Sequence, residues 1–349
     1  MARCIPTGST LLDLALGGGW IIGEGIQLYG KEGSGKSQLA LEAMTNLFMN
    51  WRTPQGFYLD AEGRFNTEYA QILHTPVNKI DFMEDCCGYT ERFIKRVESV
   101  LKEQMALDPG KRCPILNVVD SLDMMTTEKE KGDDADDGYH LLKHRLIGEY
   151  FRRNVDAFRE AQYTPMFISQ IRDKVEKTGG YGPKEYVTGG ATLRFLSSQR
   201  VKLTQLDKID RTIDGITRTV GTKIKAYVAK NSITAPFKEV DLSIKFNYGI
   251  EDWQSCLVYL KKHKYLHLVP GGSDFQPESK QLINFERQID AITDSLEFSS
   301  IVSKIQKATT EAWHEIEEKF KVTRTKYPEP ENYIEEEDEP QPTTKGKKK

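Results

Sequence analysis

No stretch of this 349-residue chain is apolar for long enough to cross a membrane, and its first residues lack the charged-then-apolar pattern of a secretion leader. None of its five cysteines (Cys4, Cys86, Cys87, Cys113, Cys256) forms a C-x-x-C pair or stands with His at zinc-ligand spacing. They read as reduced thiols of a cytoplasmic protein. Charge of one sign is also missing: 49 Lys and Arg against 52 Asp and Glu leave a net −3. No global field attracts a nucleic acid, so any such contact must come from local patches. No internal repeat is visible. The length suits one large domain plus a smaller one.

Against these absences stands Gly30-Lys31-Glu32-Gly33-Ser34-Gly35-Lys36-Ser37, which fits the phosphate-loop pattern G-x-x-x-x-G-K-[ST]. The apolar run Gly25–Tyr29 leads into it. A helix follows, with Ala40, Met44, Leu47, Phe48 and Trp51 spaced for one buried face. The glycines let backbone N–H groups of residues 30–38, Glu32 and Gln38 included, wrap a polyphosphate, and the helix start adds a positive dipole end. Lys36 is placed for the outer phosphates and Ser37 for Mg²⁺.

From the start to about residue 250, apolar strands alternate with amphipathic helices, which predicts an α/β fold with a mostly parallel sheet. Candidate strands are 56–61, 115–119, 165–169, 199–204, 223–229 and 240–246. Residues 251–327 predict a small C-terminal α+β domain, with short helices around the turn Tyr265–Phe275. Within it, residues 312–327 read as a helix that closes this domain, or as a helix-then-strand tether to a neighbouring subunit. Residues 328–349 carry seven acids and then four lysines, a composition that predicts a disordered tail.

Ligands of open α/β sheets sit at the carboxyl ends of the strands. Asp120 closes the strand Ile115–Val119 and would hold Mg²⁺. Glu62 follows the strand ending at Asp60 and is placed to activate a water against a γ-phosphate. Gln170 ends a third strand, where its amide can sense that phosphate. Alone, each also reads as an ordinary cap or loop residue.

Taken together in this order, these residues are similar to the RecA family of homologous-recombination ATPases, over roughly residues 5–250. Thr7-Gly8-Ser9, Asp60-Ala61-Glu62, Asp120-Ser121, Gln170-Ile171-Arg172, Thr188-Gly189-Gly190, Phe195 and Tyr248-Gly249-Ile250 carry the likeness. The resemblance implies an ATP-dependent recombinase with Mg²⁺, Glu62 as the catalytic carboxylate and Tyr69 stacked on adenine. It implies that Lys230 reaches the ATP of a neighbouring subunit, in a homo-oligomeric filament with ATP at subunit interfaces. It also implies single-stranded and duplex DNA as partners, bound through Arg145, Arg152, Gly189 and Gly190. Strand exchange in recombination and repair is the implied role.

The segment from Gln170 to Lys202 has seven basic and three acidic residues, a local +4. Arg172 and Lys174 lie near Tyr181 there, a mixture suited to phosphates and stacked bases of single-stranded DNA. This makes residues 171–190 a DNA loop, with a first loop at 130–140. Three features depart from the family. The first loop carries five acids and one Lys between Glu130 and Gly138, Ser232 replaces a second interface lysine, and the chain begins almost at the core, without the usual N-terminal polymerisation element. Two other readings stay open: an accessory RecA-like ATPase without strand exchange, and a ring-forming helicase.

Overall fold

The computed structural model describes residues 3–86, 88–129, 140–173, 185–187 and 190–324. The acidic first loop, most of the second loop and the tail lie outside them. A short ribbon of β1 (Cys4–Ile5) and β2 (Trp20–Ile21) flanks α1 (Thr10–Leu16), which is capped by Ser9 and ended by left-handed Gly17. Then come β3 (Ile26–Gly30), α2 (Lys36–Asn50), β4 (Gln55–Asp60), α3 (Thr67–Ile72), β5 (Ile80–Asp81), α4 (Thr90–Met105) and β6 (Ile115–Asp120). The chain continues through α5 (His140–Glu160), β7 (Tyr163–Asp173), β8 (Glu185–Val187), α6 (Gly190–Leu196), β9 (Gln199–Ile213), β10 (Ile216–Lys230), β11 (Glu239–Lys245) and β12 (Gly249–Ile250).

Among the described residues, one sheet runs in the order β12-β11-β10-β9-β3-β7-β6-β4-β5, with β8 added to β7. Strands β9, β3, β7, β6, β4 and β5 are parallel, whereas the pairs from β9 to β12 are antiparallel. Every residue of β3 is buried, because helices cover both faces of the sheet centre. The period of two is visible in the packing. Tyr58, Val118 and Ile168 point into one apolar cluster with α1 and α2, and Phe57, Val119 and Phe167 into another with α4 and α5.

The expected strands at 199–204 and 223–229 are only the sheet-bound ends of a much longer hairpin. β9 and β10 are 15 residues each and reverse at Asp214-Gly215, both with positive φ (51° and 79°). Its outer half has neither face covered, so it carries Asp, Lys, Arg and Thr instead of apolar alternation. It is held by backbone pairing and by cross-strand bonds such as Thr219 Oγ1 to Asp210 Oδ1 at 2.7 Å.

Beyond β12, the described residues form α7 (Asp252–His263), α8 (Lys280–Asp290) and α9 (Ser295–Lys319), joined by short turns. They add no strand after Ile250, in contrast to the expected α+β unit. Their apolar residues Trp253, Leu260, Ile305, Ala312 and Trp313 share one cluster with Leu11, Leu16 and Leu242 of the core. Asp252 pins the join: it accepts from Thr10 N at 2.8 Å, Thr10 Oγ1 at 2.7 Å and Gln306 Nε2 at 2.8 Å. Trp313 therefore closes this chain's own core. The Lys238 ammonium lies 5.3 Å from its ring centroid and pairs with Glu317 at 2.7 Å. This packing favours the closing helix over the tether, whose residues 325–327 lie outside the described residues.

Glu42, on α2, makes a second join. Its Oε1 accepts from Ile250 N at 2.9 Å and Gln38 Nε2 at 3.3 Å. Burial pushes its carboxyl from 4.5 up to about 7, with the nearby Asp252 adding and these hydrogen bonds pulling back. The folded state thus holds the Glu42 proton more tightly than the unfolded chain does.

Two outcomes are expected. Trp313→Ala should cost about 3–5 kcal/mol in urea unfolding; a loss below about 1 kcal/mol would mean that α9 is not core. Glu42 stabilisation is fully present below the unfolded value of 4.5 and is lost as pH rises to about 7. Glu42→Gln keeps an acceptor for Ile250, so stability should fall less steeply over that window and rise by roughly 1–2 kcal/mol at alkaline pH. An unchanged slope in pH-dependent unfolding contradicts this.

Candidate nucleotide and nucleic-acid site

The loop between β3 and α2 turns at Gly33 and Gly35, with φ of 72° and 86°, and Gly35 sits at the helix N-cap. A side chain at Gly30 would strike the Leu203 carbonyl and the Ser34 hydroxyl. These glycines leave a cradle of backbone N–H groups that a Cβ would fill or strain. Ser34 Oγ ties the loop by donating to Lys31 O at 2.8 Å.

Lys36 points back into this loop. Its ammonium donates to Gly30 O at 3.2 Å and Lys31 O at 2.8 Å. Burial lowers its pKa, while Asp120, Glu62, Asp123 and Glu32 push it back up. Asp120 is held above the ordinary carboxylate range, mainly by burial, with hydrogen bonds from Ser37 and Tyr58 pulling it down. The Tyr58 bond to Asp120 Oδ2 measures 2.8 Å.

Glu62 lies on the loop after β4, its side chain 16% exposed. Ser121 Oγ donates to its Oε1 at 2.7 Å, and Gln170 Nε2 reaches the same oxygen at 3.3 Å. The register makes this meeting possible: Gly30 pairs with Gln170 across β3–β7, and Asp60 with Asp120 across β4–β6. A cavity of about 450 Å³ opens here, lined by residues 32–38, Glu62, Asp120 and Gln170. Tyr69, Phe65, Ile244 and Phe246 add aromatic and aliphatic walls to it. Asn66 caps α3 by accepting from Tyr69 N at 2.8 Å, which fixes the helix that carries Tyr69. The volume and the mix of apolar wall and converging polar groups suit a small polyanionic ligand with a flat ring.

The residues also fit Mg²⁺. A hydroxyl (Ser37) hydrogen-bonded to one buried carboxylate (Asp120) is the oxygen-only, low-charge donor set that this ion takes when phosphates supply the rest. Among the described residues no cluster of three or more His, Cys, Asp or Glu could hold a metal alone.

The structure does not bring Lys230 to this cavity. It ends β10 opposite Arg200, three residues (about 10 Å) behind the Gly30 level, and donates to Phe195 O at 2.8 Å. Burial lowers its pKa. Phe195 beside it is 76% exposed.

Arg145 and Arg152 are both exposed on α5, seven residues apart, and Arg145 pairs with Glu149 at 3.6 Å. Arg172 is exposed on β7, opposite Tyr186 of β8. Gly190 begins α6, whereas Lys174, Tyr181 and Gly189 lie outside the described residues.

Sequence reasoning missed the links between these groups. Asp123 Oδ2 accepts from Gln170 N at 2.9 Å. Lys143, buried on α5, donates to Asp123 O at 2.8 Å and Met125 O at 2.9 Å. The helix that carries the two arginines is thus fastened to the segment that holds Gln170. Asp60, a motif residue with no role readable from sequence, accepts from Arg64 N at 3.2 Å and Phe65 N at 2.8 Å through its carboxylate and closes the Glu62 loop. The only sequence signal for Asp123 was its place just after the Asp120-Ser121 pair, and Lys143 had none.

Comparison with known proteins agrees with this geometry. The RecA N-terminal domain family matches residues 2–251. Protein RecA of Streptomyces ambofaciens is 32% identical over 247 residues, covering 70% of this chain and 62% of the relative. That of Mycolicibacterium smegmatis is 30% identical over 281 residues, 80% of this chain and 74% of the relative. That of Treponema pallidum is 31% identical over 255 residues, 73% and 58%. The chain spans about three fifths of the length of the Streptomyces and Treponema relatives. With a phosphate loop, a strand-end Asp, a Glu and a Gln set by the same sheet register, and a family match over most of its length, the chain belongs to the RecA family.

Proposed function

We propose that this chain is a cytoplasmic DNA-dependent ATPase that assembles on single-stranded DNA and promotes homologous pairing and strand exchange with duplex DNA. The observation that carries the reading is the placement of Glu62 in the phosphate-loop cavity, oriented by Ser121 and touched by Gln170. ATP is the substrate. The loop N–H groups and Lys36 bind its phosphates, and Tyr69 offers its ring to the base. Ser37 and Asp120 would hold Mg²⁺, which would supply positive charge against the phosphates. Glu62 takes the proton of a water as its oxygen attacks the γ-phosphorus; the bond to the β–γ bridging oxygen breaks, and ADP and phosphate leave. Ser121 holds the Glu62 carboxylate so that its other oxygen can face that water.

Gln170 is the link to DNA. Its amide sits on the catalytic carboxylate while its backbone N–H is held by Asp123, at the root of the second loop. A γ-phosphate that draws the amide away from Glu62 therefore changes how that loop leaves β7. Lys230 points away from its own cavity, as required of a residue that acts on the ATP of the next subunit in a filament. A second reading, an accessory ATPase without strand exchange, is favoured by Ser232. Its exposed hydroxyl donates to Ser198 O at 3.1 Å and offers no charge to a neighbouring subunit.

Phosphate-release assays with single-stranded DNA test the chemistry. Lys36→Ala should lose at least about 100-fold in kcat/KM. Glu62→Gln should bind ATP normally, lose about 100- to 10,000-fold in kcat and stay longer on DNA. Normal turnover by Glu62→Gln would show that another group orients the water. For the DNA face, Arg145→Ala, Arg152→Ala and Arg172→Ala should each weaken single-stranded binding without sequence preference, flattening the slope of log affinity against log salt by about 0.7. Unchanged slopes in fluorescence anisotropy would place DNA elsewhere. A D-loop assay separates the recombinase from the accessory reading.

A further inference from the structure

Two cations and four carboxylates line the nucleotide cavity: Lys36 and Arg64 against Glu32, Asp60, Glu62 and Asp120. A bound triphosphate adds more negative charge to a wall that is already acidic, and one divalent ion offsets only part of it. Lys36, which leaves its loop carbonyls for the phosphates, supplies a single positive charge. Arg64 is the other cation, and no role has been assigned to it.

Its position is fixed at one end and free at the other. The backbone N–H groups of Arg64 and Phe65 are both pinned by Asp60, and Gly63 makes the turn with φ 66°. The side chain is 73% exposed and makes two long ion pairs, 3.6 Å to Glu62 Oε2 and 4.0 Å to Glu32 Oε1. Pairs of this length on an exposed side chain are weak, so the guanidinium can turn without breaking a strong bond. While it stays, it covers the oxygen of Glu62 that Ser121 and Gln170 leave open.

We propose that Arg64 is a phosphate-sensing catalytic residue of this site: on ATP binding its guanidinium moves from Glu62 and Glu32 to the γ-phosphate. There it stabilises charge that builds up during cleavage, and its departure frees Glu62 Oε2 to receive the water proton. Guanidinium is the better cation for this task, since its fork matches two phosphate oxygens at once. ADP lacks the γ-phosphate and leaves Arg64 on Glu62. The device supplies from within the chain part of the charge that Ser232 withholds from a neighbour. The inference rests on the reading of the cavity as an ATP site.

The test measures binding of fluorescent ADP and of a non-hydrolysable ATP analogue, with Mg²⁺, to the full chain, and turnover on single-stranded DNA. Arg64→Ala should weaken the ATP analogue by about tenfold or more, leave ADP affinity unchanged and lower kcat by about tenfold to a hundredfold. Arg64→Lys should recover part of both, since it keeps the charge and loses the fork. An equal loss for ADP and the analogue would assign Arg64 a structural role and overturn the inference. Unchanged kcat, or faster turnover in Arg64→Ala, would overturn it too, the latter showing a brake on Glu62 and nothing more. A wild-type protein that binds neither nucleotide would reject the ATP site itself, and this inference with it; binding of both by the wild type separates the two failures.

Discussion

Everything at the site depends on the register of four parallel strands. Gly30 stands opposite Gln170 and Leu203, Asp60 opposite Asp120, and Val119 opposite Phe167. These pairings bring the carboxyl ends of β3, β6 and β4 within two residues of one another, beside Gln170 of β7, so that a loop, a carboxylate and an amide from distant parts of the chain meet in one cavity. A slip of one residue would turn Tyr58, Val118 and Ile168 from one apolar cluster into the other and move every site group off its face. The core therefore fixes the chemistry through the alternation of its buried residues.

The site is poised electrostatically and gains from a ligand. Lys36 is buried enough to have its pKa lowered although four carboxylates press it upward, and Asp120 is raised although two hydroxyls hold it down. Lys36 meanwhile satisfies itself on the loop's own carbonyls. A polyphosphate with its metal would replace those contacts with stronger ones and stabilise the folded chain by mass action. From the same centre, short polar links run outward: Glu62 to Gln170, Gln170 to Asp123, and Asp123 to Lys143 on the helix of Arg145 and Arg152. Together these links run from the phosphate-loop cavity to the helix that carries the two exposed arginines.

The phosphate loop, the strand-end Asp120 and Gln170, and the parallel centre of the sheet were legible in the sequence because local pattern dictates them: a glycine-rich turn, and apolar runs closed by one polar residue. Glu62 was legible only through its motif. The outer half of the β9–β10 hairpin was not, since its apolar residues Leu206, Ile209, Ile213 and Ile216 stand three or four apart without a strand's alternation, and only Asp214-Gly215 marked the reversal. The C-terminal helices read as a separate unit because sequence shows their composition and not their partners; Asp252 binds them to Thr10 of α1 across 242 residues, and Trp313 shares an apolar cluster with Leu11, Leu16 and Leu242. Asp123 and Lys143 act by tertiary contact to backbone carbonyls and amides, for which no local signal exists.

The most direct test of the account is a structure of the full chain with Mg²⁺ and a non-hydrolysable ATP analogue. The account predicts that the nucleotide lies in the cavity beside Tyr69, that Lys36 leaves Gly30 O and Lys31 O for the phosphates, that the metal sits on Ser37 and Asp120, and that Glu62 lies within one water of the γ-phosphorus. A nucleotide bound elsewhere, or Lys36 still on its loop carbonyls with the analogue present, would contradict it.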